Sequence, residues 1–248
     1  MMLVKLYLKV LIKMQNTKSC GLTNNQLKII AAISMLIDHV GLVFFPNEMI
    51  FRIIGRLALP IFAYMIAEGC RHTKSRKKYL GTILAMAIVF QLVYFFVLDD
   101  LYQVILVTFS LSIIIIYAIE GLTKRNSIPY KLVMLAALFG VVIFGAVFPQ
   151  LYGHLGFAID YKLWGICLPV LIYFAPNKIW KILSMSILLI AMSIISSPLQ
   201  WWALLSIPLL LLYNGQRGKA KMKYFFYIFY PLHLVLIYAI SFLIYILS

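Results

Sequence analysis

AAISMLIDHVGLVFF, residues 31–45, is apolar enough to lie in a bilayer, yet Asp38 and His39 stand side by side near its middle. An ionisable group at bilayer depth costs roughly 2.5–3.5 kcal/mol on insertion scales, so it faces a bundle interior, pairs with another group or serves function. Whether this stretch is a span decides the fold, and the rest of the chain answers. The 248 residues are 64% hydrophobic and 12% charged, with a mean hydropathy of +1.00. A water-soluble domain of this length does not need so much apolar surface. Apolar runs at about 27–46, 50–70, 79–98, 101–120, 130–149, 158–175, 179–196, 199–213 and 224–246 predict an all-α, polytopic transmembrane helix bundle of about nine spans. A span needs roughly 20 residues, so the sixth, seventh and eighth runs are short and predict tilted or re-entrant helices.

The charge balance is lopsided, 22 Lys and Arg against 7 Asp and Glu. In a soluble protein that would point to nucleic acid. Here the basic residues sit in short loops between apolar runs, so topology and an anionic bilayer are the expected partners and nucleic acid is not. If the spans alternate, every basic residue except Arg52, Arg56 and Lys162 falls on one side. That asymmetry predicts a cytoplasmic N-terminus and a C-terminus outside. Residues 1–20, with Lys5, Lys9 and Lys13 four apart, read as an amphipathic or poorly ordered extension, and 21–248 as a single domain. Cys20, Cys70 and Cys167 are isolated, without metal-ligand spacing, so no metal is expected.

The three exceptions need a reason. At 1.5 Å per residue, His39 lies about 10 Å below the outer surface and Arg56 about 9 Å. A loop of a few residues joins their spans, so Asp38, His39 and Arg56 are expected in one layer. Adjacent helical residues point about 100° apart. An Asp38–Arg56 ion pair between spans therefore leaves His39 to face a cavity, with Arg52 on the same face as Arg56. A purely structural ion pair beside a hydrogen-bonded histidine is the competing reading. In FFYIFYPLHLVLIY, residues 225–238, Tyr227, Tyr230 and His233 share a face, and Pro231 frees the carbonyl of Tyr227. A bond from His233 to that carbonyl and a catalytic role both stay open. Glu68 and Glu120 lie beside basic loops, where solvated pairing is expected. Asp160 and Lys162 open the sixth span, to pair with each other or cap the bundle. Pro60, Pro169 and Pro208 predict broken helices of the kind that line cavities. GxSxG, HExxH and phosphate-cradling GxxxxGK[ST] signatures are absent.

Three stretches carry a resemblance. LKIIAAISMLIDHVGLVFFP (27–46) with FRIIGRLALPIFAYMIAEGCRHTKSRKKYL (51–80) looks like the start of the TraX family. DYKLWGICLPVLIY (160–173) and LYNGQRGKAKMKYFFYIFYPLHLVLIY (212–238) resemble its middle and end. The resemblance implies N-acetylation of a pilin amino terminus at the bacterial cytoplasmic (inner) membrane. It also implies similarity to a wider group of transmembrane acyltransferases that includes heparan glucosaminide N-acetyltransferase. Members of that group take acetyl-CoA on the cytosolic side, deliver acetyl across the membrane and use an intramembrane histidine, which His39 matches best. The implied function is transfer of acetyl from acetyl-CoA to an outward-facing amine. His39 would be the catalytic histidine, with Asp38 and Arg56 beside it and Arg56 stabilising the oxyanion. Arg52, Asp160, Tyr230 and His233 would contact the acceptor, a peptide or glycan. CoA carries phosphates, so Arg71, Lys77, Lys78, Asn214 and Arg217 in the basic loops are candidate donor contacts, with the glycines of NGQRG permitting a tight turn. O-acetylation of an envelope glycan stays open, as does solute transport, although no internal repeat supports the latter.

Overall fold

The computed structural model describes residues 21–98, 101–124, 126–219 and 222–247. The extension 1–20 and the Asp99–Asp100 loop lie outside them. Eleven α-helices follow: α1 Asn24–Phe44, α2 Met49–Gly55, α3 Ala58–His72, α4 Arg76–Leu98, α5 Ile105–Lys124, α6 Ile128–Val142, α7 Phe148–Tyr152, α8 Lys162–Phe174, α9 Lys178–Ile195, α10 Ser206–Leu211 and α11 Lys223–Leu247. A π-helical turn, Ile143–Val147, joins α6 to α7, and a 3₁₀ stretch, Pro198–Leu205, leads into α10. Among the described residues, seven helical segments are long and apolar enough to cross a membrane. The two shorter ones, Lys162–Phe174 and Pro198–Leu211, are the sixth and eighth apolar runs. The seventh run forms an 18-residue span, Lys178–Ile195.

The core is built on α3 and α5, which are the most enclosed spans. Tyr64, Phe109, Ile113, Ile116, Leu168, Ile172 and Met185 are buried where α3, α5, α8 and α9 meet. The opposite faces of α4, α6 and α11 carry exposed Ile, Leu, Val and Phe, the surface expected to meet lipid. The Ser110 and Ser112 hydroxyls of α5 turn inward and are satisfied locally. Ser110 bonds the Leu106 carbonyl, and Ser112 bonds Thr108 and crosses to the Ile166 carbonyl of α8 at 2.8 Å.

The second span is broken between α2 and α3, at Arg56 and Leu57. Pro60 has no N–H to return to the carbonyl of Arg56 four residues earlier, which is the physical origin of the break. At Gly55 the helices nearly touch, and a Cβ there would overlap the Asp38 carboxylate. α2 can therefore approach α1 closely enough for both arginines to reach that carboxylate.

The two ends of the bundle differ. At one, cations are spent on helix termini and buried acids. Arg71 bonds the carbonyls of Tyr173 and Ala175, ending α8. Lys178 bonds those of Leu211 at 2.6 Å and Tyr213 at 2.8 Å, ending α10. Arg76 and Lys124 pair with Glu120, while Lys181 and His72 pair with Glu68. The expectation of solvated acids fails here. Glu68 and Glu120 are buried because neighbouring spans cover them, and each is held by cations from its surroundings.

Candidate functional site

At the other end a cavity of about 480 Å³ opens among α1, α2, α3, α4, α11 and the loops before α5 and α8. Asp38 and His39 line it from α1, Arg52 and Arg56 from the broken second span, Tyr102 and Asp160 from the loops, and Tyr230 from α11.

Asp38 is the hub. Arg56 Nη2 donates to both of its oxygens at 3.1 Å, and Arg52 Nη1 approaches Oδ2 at 2.9 Å. Arg56 is buried and fully engaged: Nε donates to the Arg52 carbonyl and Nη1 to the Tyr161 hydroxyl. Its bonds tie α2, α1 and the loop before α8 together. Arg52 keeps 29% of its side chain exposed, and the Tyr230 hydroxyl is buried without a partner among the described residues. Both line the cavity and are the available donors.

The structure brings His39 and His233 together across α1 and α11, with His39 Nδ1 3.1 Å from His233 Nε2. His233 Nδ1 in turn meets the carbonyl of Phe229 at 2.9 Å. The sequence pointed to the Tyr227 carbonyl instead. A helical side chain reaches back four residues, which from position 233 is Phe229. His233 is buried behind His39, which lines the cavity and also bonds the backbone of Met35, one turn back on α1.

The loop over the cavity is fixed by a short parallel bridge. Gln103 N–H donates to Ala158 at 2.6 Å, and Asp160 N–H to Gln103 at 3.0 Å. Tyr161 and Lys162 both have positive φ, at 57° and 50°, a strained conformation for residues with a Cβ. It aims the Tyr161 hydroxyl at Arg56. Asp160 accepts from the Tyr102 hydroxyl at 2.7 Å and does not pair with Lys162, whose side chain is exposed. Burial pushes the Asp160 carboxyl up to about 6. An acid whose folded pKa is raised loses stability as pH climbs from its unfolded value, near 4, through 6. Asp160→Asn keeps an acceptor for Tyr102 and removes the buried charge. It is expected to raise the melting temperature at pH 7.5 and leave it unchanged at pH 4.0; equal shifts at both pH values would mean that the carboxyl titrates normally.

The model of the family described as TraX protein matches residues 23–241. The chain belongs to the TraX family. It is 28% identical over 239 residues to a probable fimbrial assembly protein, FimC of serogroup H1, from Dichelobacter nodosus, covering 86% of this chain and 93% of that one. A shorter match, 52% identical over 44 residues, joins it to an uncharacterized protein of Rickettsia prowazekii, covering 17% and 18% of the two chains. No solved structure matches.

In this TraX-family chain the candidate donor contacts lie at the basic end, away from the cavity. Lys77, Lys78 and Arg217 are exposed there. Arg71 caps α8, as described, and Asn214 ties its loop to the segment before α1: Nδ2 donates to the Gly21 carbonyl, while Oδ1 accepts from Gln216 N–H. The NGQRG turn does use its glycines, Gly215 at φ 75° and Gly218 at φ 89°. Its carbonyls point at α1, where Gln216 and Arg217 accept from the N–H groups of Asn24 and Asn25 at 2.8 and 3.2 Å. With the Thr23–Gln26 capping box, the turn completes the start of the helix that bears His39. Gln200 was missed by sequence reasoning. It is buried, lines the cavity, and its Oε1 has no partner among the described residues.

Proposed function

We propose that this protein is an integral acetyltransferase of the bacterial cytoplasmic membrane. It moves acetyl from cytosolic acetyl-CoA to an amine presented on the opposite side, with the amino terminus of a pilin or other small membrane peptide as acceptor. The observation that carries this reading is the His39 imidazole, held by His233 through Nδ1 and lining a cavity, in a chain of the TraX family. The fimbrial assembly name of the Dichelobacter relative favours a peptide acceptor over a glycan.

An amine must be neutral to attack, must lose a proton and generates an oxyanion on the acetyl carbon. A neutral imidazole pairs one basic nitrogen with one N–H and suits the proton transfer. Tyr230 and Arg52 line the same cavity, and their donors serve the oxyanion. Asp160 and the Asp38–arginine hub set the charge around the acceptor. On the basic side Lys77, Lys78 and Arg217 are free to meet the CoA phosphates. Lys28 stands on α1 eleven residues before His39, so the donor must reach about 16 Å into the bundle.

The test uses purified protein in liposomes with radiolabelled acetyl-CoA and a peptide bearing a free amino terminus. The expected result is an N-acetylated peptide, and CoA should raise the melting temperature in detergent. Label on envelope glycan alone would move the acceptor from amine to hydroxyl. No label on any acceptor and no thermal response to CoA would end the proposal.

A further inference from the structure

We propose that His233 is a positioning residue that fixes the tautomer of His39 and receives its Nδ1 proton when Nε2 takes a proton from the acceptor. The inference rests on the acetyltransferase reading for its chemistry, but its geometry stands alone. A carbonyl only accepts, so the bond to Phe229 requires a hydrogen on His233 Nδ1. The neutral ring then has a bare Nε2. The 3.1 Å contact requires His39 Nδ1 to donate to it, with the Met35 backbone also bonded to the ring, which leaves the lone pair of His39 on Nε2. One backbone carbonyl, acting through a second imidazole, sets which nitrogen of His39 is basic.

Aromatic rings pack around His233. The Phe229 ring lies parallel to it at 5.2 Å and 8°, and Phe90 lies parallel at 6.5 Å and 10°. Tyr230 meets it at 82°. Aromatic faces attract a cation, most strongly when it is desolvated. The charged groups facing the pair are Asp38 on α1 and Arg52 and Arg56 of the broken span. Asp38 is committed to the two arginines, and among the described residues no carboxylate pairs with either histidine. The arginines disfavour a cation on His39, so a proton gained there is better placed one ring further back.

The steps balance. The amine nitrogen bonds the acetyl carbon, and the carbon–sulfur bond breaks with its electron pair going to sulfur. The amine N–H proton moves to His39 Nε2 while the Nδ1 proton moves to His233 Nε2, making His233 the imidazolium. Return of the Nδ1 proton to His39 releases the Nε2 proton to the thiolate, giving amide, free thiol and both rings as they began.

The full-length protein labelled with ¹⁵N-histidine in detergent reports the tautomers directly, with single variants assigning the four histidines. His39 is expected to carry its proton on Nδ1, and acidification should protonate both nitrogens of His233. His233→Gln accepts from His39 Nδ1 and donates to Phe229, so it keeps the tautomer but takes no proton. Transfer should fall about 100-fold and the acid limb of its pH profile should move. His233→Phe removes both functions, and the single His39 tautomer should disappear from its spectrum. A neutral His39 protonated on Nε2 in the unsubstituted protein, or a folded Gln variant with unchanged rate and pH profile, overturns the proposal. Correct tautomers in a protein that transfers no acetyl would uphold the relay and sink the acetyltransferase reading instead.

Discussion

His39→Ala is expected to lower acetyl transfer by roughly 10²–10⁴-fold, the range associated with loss of a positioned general base. The protein should still fold, because His39 faces a cavity on one side and its removal empties little of the core. It does leave His233 Nε2 buried without a partner, a defect of about 1–3 kcal/mol. Activity and stability can therefore be separated. The double variant His39→Ala/His233→Phe removes the orphaned nitrogen and fits an apolar ring beside Phe229 and Phe90. Its melting temperature should recover toward that of the unsubstituted protein while transfer stays lost. Arg56→Ala should look different. It breaks four hydrogen bonds inside the fold and leaves Asp38 with Arg52 alone, so activity and melting temperature should fall together. Transfer by folded His39→Ala at the unsubstituted rate would remove His39 from the chemistry.

Much of this site was readable because it is local. A short loop fixes α1 and α2 as neighbours, and counting residues puts Asp38, His39 and Arg56 at matching depth, with Arg52 one turn nearer the surface on the face of Arg56. The ion-paired hub follows from those two facts. The break in the second span was announced by Pro60, and the two shortened segments by their length. The His39–His233 contact was not readable, since 194 residues separate the partners and hydropathy does not say that the last span packs on the first. Arg71 and Lys178 illustrate a different limit. A cation in a loop has the same sequence signature whether it meets solvent, phosphate or a helix terminus, and here both meet carbonyls. Glu68 failed for a third reason. Its place beside a basic loop suggested water, but Lys181, 113 residues away, lies on a helix that covers it.

That buried pair carries the second large effect. Lys181→Ala is expected to cost about 3–5 kcal/mol, because it leaves the Glu68 carboxylate enclosed without its main counter-charge. Lys181 and Glu68 side chains are 9% and 6% exposed, so water cannot substitute for the ammonium. The ammonium also stands 5.5 Å from the centre of the Tyr64 ring, whose interaction is lost with it. His72 reaches the other Glu68 oxygen at 3.3 Å, but its side chain is 68% exposed and only a protonated imidazole would compensate. Replacing both partners, Glu68→Gln with Lys181→Met, removes the charges and keeps the volumes. It should recover most of the stability, since a buried ion pair gains little over well-packed uncharged groups of the same size. Transfer per folded molecule should be unchanged in that double variant, as the pair lies at the opposite end of the bundle from the cavity. A Lys181→Ala protein melting with the unsubstituted one at pH 8 would mean that Glu68 is solvated, and that α9 does not close over α3 at the basic end.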